Sequence, residues 1–256
     1  WRGSDPDPEG LNAMSLAQTM TALGEFERAD RFLTTAEQRM PRMKGTLGAR
    51  FSLTLAKGDL EAMGRLAESI AEDAPVVDES DEKSAMDVWR GLAAIVGGEP
   101  DRGAIQLRAG LENSASGFLL PADRLGLMAA LAYGERLAGQ AATADGTIAT
   151  TLRLAERSKR EGRARPQIDA WEAVLLSMQD DQDGARAAFT RAVEGGWRDY
   201  FVVRHFPPAE QLFFDPQIGL LIDRVRVDIG VMAESVRNLE DLPRLAAQPK
   251  IAQLKR

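Results

Sequence analysis

Cysteine is absent from this 256-residue chain, and histidine occurs once, at His205. The first absence removes disulfides, thiolate metal sites and cysteine nucleophiles, and leaves redox compartment unread. The second removes every multi-histidine metal centre and leaves a single imidazole for acid–base chemistry. Aromatic residues are scarce, at 6%, so aliphatic side chains must supply most of any core. No uninterrupted apolar run approaches the roughly 18 residues that a membrane-crossing helix needs. An excess of basic charge is also missing. The net charge of -7 argues against nucleic acid as the main partner. The chain opens on Trp1 rather than methionine, and Trp1 to Gly10 (WRGSDPDPEG) reads as a polar linker with no signal peptide. The expectation is a soluble piece of a longer protein. An extracytoplasmic address is one reading, and the compartment stays open.

What is present is an ordinary globular balance, 44% hydrophobic and 28% charged, with an internal period. After Gly24 come Ala29, Leu33, Ala36 and Pro41, at offsets of 5, 9, 12 and 17. After Gly58, 34 residues later, the same offsets hold Met63, Ala67, Ile70 and Pro75. A third frame starts at Gly98 and gives Gly103, Leu107, Gly110 and Ala115. A fourth starts at Gly139 with Ala144, Ile148 and Thr151, and a fifth at Asp180 with Ala185, Phe189, Ala192 and Trp197. Small residues on one helical stripe let a neighbouring helix approach, and Leu33 or Phe189 fills the space between them. Glycine permits the positive φ that ends a first helix, and Pro41 or Pro75 stops a second. Trp89 and Trp171 each stand nine residues before their frame's turn and are read as inter-helix core.

With LGEFERADRFLTTAEQRMP in the first frame and DDQDGARAAFTRAVEGGW in the last, the chain resembles a tetratricopeptide repeat (TPR) protein over about residues 11 to 200. The resemblance implies an all-α fold: a right-handed superhelical array (an α-solenoid) of about five antiparallel helix pairs. Residues 1–10 form the linker, 201–242 a connector and a long C-terminal capping helix, and 243–256 a basic tail. The cap is read from Asp215 and Pro216, a helix start, and from the stripe Ile218, Leu221, Ile222, Val225, Ile229, Met232, Val236 and Leu239. The run from Arg191 to Val225, with Gly196, Trp197, Tyr200, Arg204, Asp215, Pro216 and Leu221, is similar to the end of repeat domains in bacterial multidomain signalling and regulatory proteins. Such domains are often fused to winged-helix, cyclase, kinase or hydrolase modules.

In that family the first helix of each pair lines an inner, partner-binding groove. By the resemblance the groove carries Leu11, Met14, Gln18, Thr21, Ser52, Leu55, Val88, Leu92, Ile95, Tyr133, Arg136, Val174 and Ser177. Met14, Gln18 and Ser52 stand where carboxylate-gripping members have lysine, arginine or asparagine, so a carboxylate clamp is not supported. An apolar groove suits an amphipathic helix or the protein's own C-terminal helix instead. A second candidate contact is basic: Arg157, Lys159, Arg160, Arg163 and Arg165, against the bland reading of a solvated face.

No enzyme is expected. His205 has Asp199, Glu210 and Asp215 nearby in sequence, but no G-x-S-x-G serine, phosphate loop, dinucleotide fingerprint or H-E-x-x-H accompanies it. The acidic loop residues Asp78, Glu79, Asp81 and Glu82 lack the spacing of a calcium loop, so neither a metal nor a cofactor is implied. The leading expectation is a protein–protein interaction scaffold that binds a peptide segment or a fused effector domain. The alternatives are a sensory or regulatory domain of a larger bacterial transcription regulator or signalling enzyme, and an enzyme using His205. The register itself is testable. Ala29→Trp and Ala192→Trp each force an indole between close helices and should cost about 1–3 kcal/mol or more, read as a lowered Tm. An unchanged Tm in both would mean the frames are misaligned.

Overall fold

The computed structural model describes residues 8–40, 44–73, 80–113, 121–163 and 165–240, and every element among them is helical. The helices form where the frames place them because each frame ends a helix on a left-handed residue. Gly24 has φ 75°, Gly58 73°, Gly98 89° and Gly139 74°; Asp180 adopts the same conformation at 62°. The Gly24 N–H donates to the Thr21 carbonyl at 3.1 Å, and the Glu25 N–H reaches back to Met20 at 2.9 Å. The pattern recurs at Asp180 to Ser177 and Asp181 to Leu176, both 3.1 Å. These paired bonds satisfy the last carbonyls of the first helix. The next residue already starts the second: the Ala29 N–H donates to Glu25 and the Ala185 N–H to Asp181. A two-residue reversal folds one helix back along the other.

The resulting pairs are α1 (Pro8–Ala22) with α2 (Phe26–Arg39), α3 (Lys44–Lys57) with α4 (Leu60–Asp73), and α5 (Ser80–Val96) with α6 (Pro100–Asn113). α7 (Pro121–Leu137) pairs with α8 (Ala141–Arg160), and α9 (Pro166–Met178) with α10 (Gln182–Glu194). The offsets point inward as the period requires. Ala29, Leu33 and Ala36 are fully buried, as are Ala144, Ile148 and Thr151, and Ala185, Phe189 and Ala192. Gly103, Leu107 and Gly110 are buried in the third pair, and Met63 in the second. Each large apolar member of that stripe contributes roughly 1.5–3 kcal/mol by leaving water. The side chains of Ala67 and Ile70, with Pro41, Pro75 and Ala115, lie outside the described residues.

First helices pack on first helices: α1 on α3, α3 on α5, α5 on α7 and α7 on α9. One device is used twice along that row. The Trp89 indole lies over Gly48 of α3, and the Trp171 indole over Gly126 of α7, each where a Cβ would meet the ring within 3.1 Å. Ion pairs tie the second helices in. Arg50 of α3 holds Asp30 and, at 2.7 Å, Glu37 of α2. Lys159 of α8 and Arg191 of α10 share Asp169 and Glu172 of α9.

Beyond α10 the connector itself carries short helical elements. Trp197 is buried edge-on against Phe189, 5.1 Å between centroids. The short helix α11 (Tyr200–Arg204) then packs on α3 and α1, and two 3-10 turns (Pro207–Ala209 and Gln211–Phe214) pack on α7 and α9. Residues 200–214 are therefore a strap laid across the row of first helices. The last helix, α12 (Pro216–Glu240), packs on α10 and also reaches the first pair. Val236 packs beside Met20, and Arg237 pairs with Glu25 at 2.9 Å. Two expectations are corrected: the first helix starts at Pro8 rather than after residue 10, and Met232 is 47% exposed and not on the packed stripe. Residues 1–7, the side chain of Leu239 and the tail 243–256 lie outside the described residues.

Two turn glycines separate backbone strain from docking of the strap. A Cβ at Gly24 would stand 2.7 Å from the Phe201 ring, whereas one at Gly139 meets nothing within 4 Å. Gly139→Ala should cost about 1–2 kcal/mol in urea unfolding, the left-handed penalty alone. Gly24→Ala should cost more, by an overpacking increment of about 1–3 kcal/mol. Equal costs would mean that the strap does not rest on the first turn.

Candidate functional site

The strap builds the interior that it covers. Val202 and Val203 of α11 and the following Phe206 face inward, while Phe201 and His205, one helical turn apart, rest on the turn glycines Gly24 and Gly58. Phe201 also meets Phe26 edge-on at 5.4 Å, and Phe206 meets Trp171 at 5.3 Å. Pro207 and Pro208 then end the helix. Gln211 ties the far end down by donating to Asp180 at the α9–α10 turn, 2.8 Å.

Two cavities remain between strap and helices. The larger, about 310 Å³, is walled by Phe51, Leu55, Trp89, Leu92, Trp171 and Phe206, with Gln18, Ser52 and Asp123 as polar members. The smaller, about 220 Å³, is lined by Thr21, Gln167, Trp171, Trp197, Asp199 and Val203 among others. The two share Gln18, Ser52, Asp123, Trp171 and Val202, and so adjoin. Gln18 and Asp123 are exposed, which places the mouth between the starts of α7 and the middle of α1.

The expected groove residues divide three ways. Gln18, Thr21, Ser52, Leu55 and Leu92 line these cavities. Val88, Val174 and Ser177 are fully buried, and Ile95 nearly so; a partner cannot reach them in this arrangement. Ser177 donates to the Val174 carbonyl at 2.9 Å. Leu11 and Met14 pack at the outer end beside Ala13 and Met40, and Arg136 donates to the Met178 carbonyl that ends α9 while pairing with Asp145 at 3.1 Å. Tyr133 is partly buried, and that burial first, then the Glu210 charge, holds its hydroxyl proton above the ordinary range.

The basic candidates divide as well. Lys159 is internal, paired with Asp169 at 2.9 Å and with Glu172, and those carboxylates outweigh its desolvation and raise its pKa. Arg157, Arg160, Arg163 and Arg165 are exposed, and Arg163 lies 3.7 Å from Glu161. Two of the carboxylates near His205 in sequence are engaged elsewhere: Asp215 pairs with Arg186 at 2.8 Å and caps α12, and Asp199 bonds Gln167. Burial, then Arg204, pushes the His205 pKa down. Among the described residues no cluster of three metal-ligating side chains forms; Asp78, Glu79 and the side chains of Asp81 and Glu82 lie outside them. No helix among the described residues is long and apolar enough to cross a membrane.

The residues that sequence reading missed are Val202 and Phe206; Asp199 enters it only as a sequence neighbour of His205. Phe201, Phe206 and the double proline were visible as an aromatic, helix-stopping run, but nothing local says which distant face they cover. Asp199 stands out electrostatically. Desolvation raises its pKa, and the Gln167 hydrogen bond only partly opposes this. A carboxyl with a raised folded-state pKa favours folding below the unfolded-state range near pH 4, and that contribution is lost as pH climbs through the folded value. Ionised Asp199 therefore subtracts from stability at neutral pH. Asp199→Asn should raise Tm at pH 7, with the gain shrinking on acidification towards about pH 4. A lower Tm at pH 7, or a difference independent of pH, would contradict this.

Comparison with protein-family models, with curated proteins and with solved structures finds no match to this chain.

Proposed function

We propose that the chain is a tetratricopeptide-type superhelical repeat domain that works as a protein–protein interaction scaffold, with its inner face gated by its own strap. The observation that carries this reading is the recurring left-handed turn, at Gly24, Gly58, Gly98, Gly139 and Asp180, which puts all five first helices in one row. A row of that kind offers one continuous surface to an extended or helical segment. Residues 200–214 already lie on it, so a partner segment on the same face competes with the strap at a high effective concentration.

A second reading, a sensory or regulatory domain of a larger bacterial regulator or signalling enzyme, is favoured by the incompletely filled space beneath the strap. Ligand or partner would then act by shifting strap occupancy. Neither reading calls on His205 for catalysis.

Peptide-display selection against the domain tests the scaffold reading, with affinities remeasured on Phe201→Ser. That substitution removes the ring contacts to Gly24 and Phe26 at a position outside the row of first helices. Selected peptides should bind the variant at least about tenfold tighter, because less competition remains. Equal affinity for both forms, or no peptide selected by either, would refute an inner-face scaffold.

A further inference from the structure

We propose that the joined cavities beneath the strap bind a small organic cation carrying an apolar or aromatic body. The walls supply the apolar part: Trp89 and Trp171 from α5 and α9, Phe51 from α3 and Phe206 from the strap. Trp171 lines both cavities, and Phe206 meets its ring edge-on. Indole rings attract cations through their quadrupole, and more so out of water. The space, about 310 Å³ next to about 220 Å³, suits a one- or two-ring amine rather than a larger cofactor.

The sign of the charge comes from the polar members. Among the described residues lining the cavities, the charged side chains are two carboxylates, Asp199 and the exposed Asp123, which already has a partner of its own, so the sign rests on Asp199. Asp199 also differs from most shielded acids among the described residues, which are ion-paired. Glu37 has Arg50, Glu135 has Arg108, Asp169 and Glu172 have Lys159 and Arg191, and Asp215 has Arg186. Asp199 has the neutral amide of Gln167. Its sequence neighbour Arg198 turns the other way, to Asp228 at 2.6 Å. The start of α11 thus holds a partly buried carboxylate, destabilising where it stands, against an aromatic cavity. A bound cation would supply the counter-charge that the chain withholds. Neutral aromatics would gain the walls but not this pairing, and anions would be repelled.

This inference does not require any protein partner, so it stands or falls separately from the scaffold reading. Isothermal titration of the whole chain with benzyltrimethylammonium and with phenethylamine, set against phenethyl alcohol and phenylacetate, tests it directly. Both cations should bind saturably with a Kd of about 1 mM or tighter, and at least about tenfold tighter than the neutral and anionic analogues. Asp199→Asn should weaken cation binding about tenfold or more while the variant's Tm rises at pH 7, so lost folding cannot account for lost binding. Trp171→Phe should also weaken it and reduce tryptophan fluorescence quenching by the cations. No saturation by about 10 mM, equal binding of the alcohol, or unchanged affinity in Asp199→Asn would each overturn the proposal.

Discussion

Everything non-local in this molecule depends on a residue in left-handed backbone conformation two positions before each second helix. Gly24, Gly58, Gly98, Gly139 and Asp180 close the preceding helix with the same pair of backbone bonds and release the chain in the same direction. Once the reversal is fixed at two residues, the offsets of the second helix are no longer free. Ala29, Leu33 and Ala36 must face α1, as Ala185, Phe189 and Ala192 must face α9. Asp180 is the one described non-glycine with this conformation, and aspartate tolerates it better than most side chains. Its carboxylate also receives Gln211, so the least favourable turn is the one that anchors the strap.

Polar groups follow two regimes. Most shielded carboxylates are neutralised across helix boundaries, and those pairs fix which helices neighbour which. Lys159 and Arg191 gripping Asp169 and Glu172 lock α8, α9 and α10 together. Glu135, with no exposed side-chain surface, is bridged by Arg108 at 2.5 Å and would be strongly destabilising without it. Asp199 belongs to neither helix pair nor ion-pair network. It sits where strap and cavities meet, at the junction that any gating movement must cross.

The sequence made the local geometry legible and the long-range closure illegible. Turns and second-helix registers depend on backbone preference and a short period, and both can be counted along the chain. Even the aspartate substitution at the fifth turn was readable from its frame. The strap was not, because Phe201 on Gly24 and Arg237 on Glu25 join positions that no local period relates. That gap had a direct consequence for the candidate site. Val88 and Val174 read as groove positions by helix order, yet they are core because the first helices pack closely on one another. Gln18, Ser52 and Leu55, chosen by the same rule, do reach open space, since they lie where the strap arches over α1 and α3.

The strap's place after the five pairs sets a schedule for biosynthesis. α1 ends at Ala22 and α11 begins at Tyr200, so roughly ten to forty seconds of translation separate them at about 5–20 residues per second. The first two pairs can coil and dock within that interval, but the apolar faces of Phe51, Leu55 and Trp89 stay open until α11 and Phe206 leave the ribosome. A nascent chain of this kind carries its own late-arriving lid, and until then the surface that the lid will cover has no strap over it.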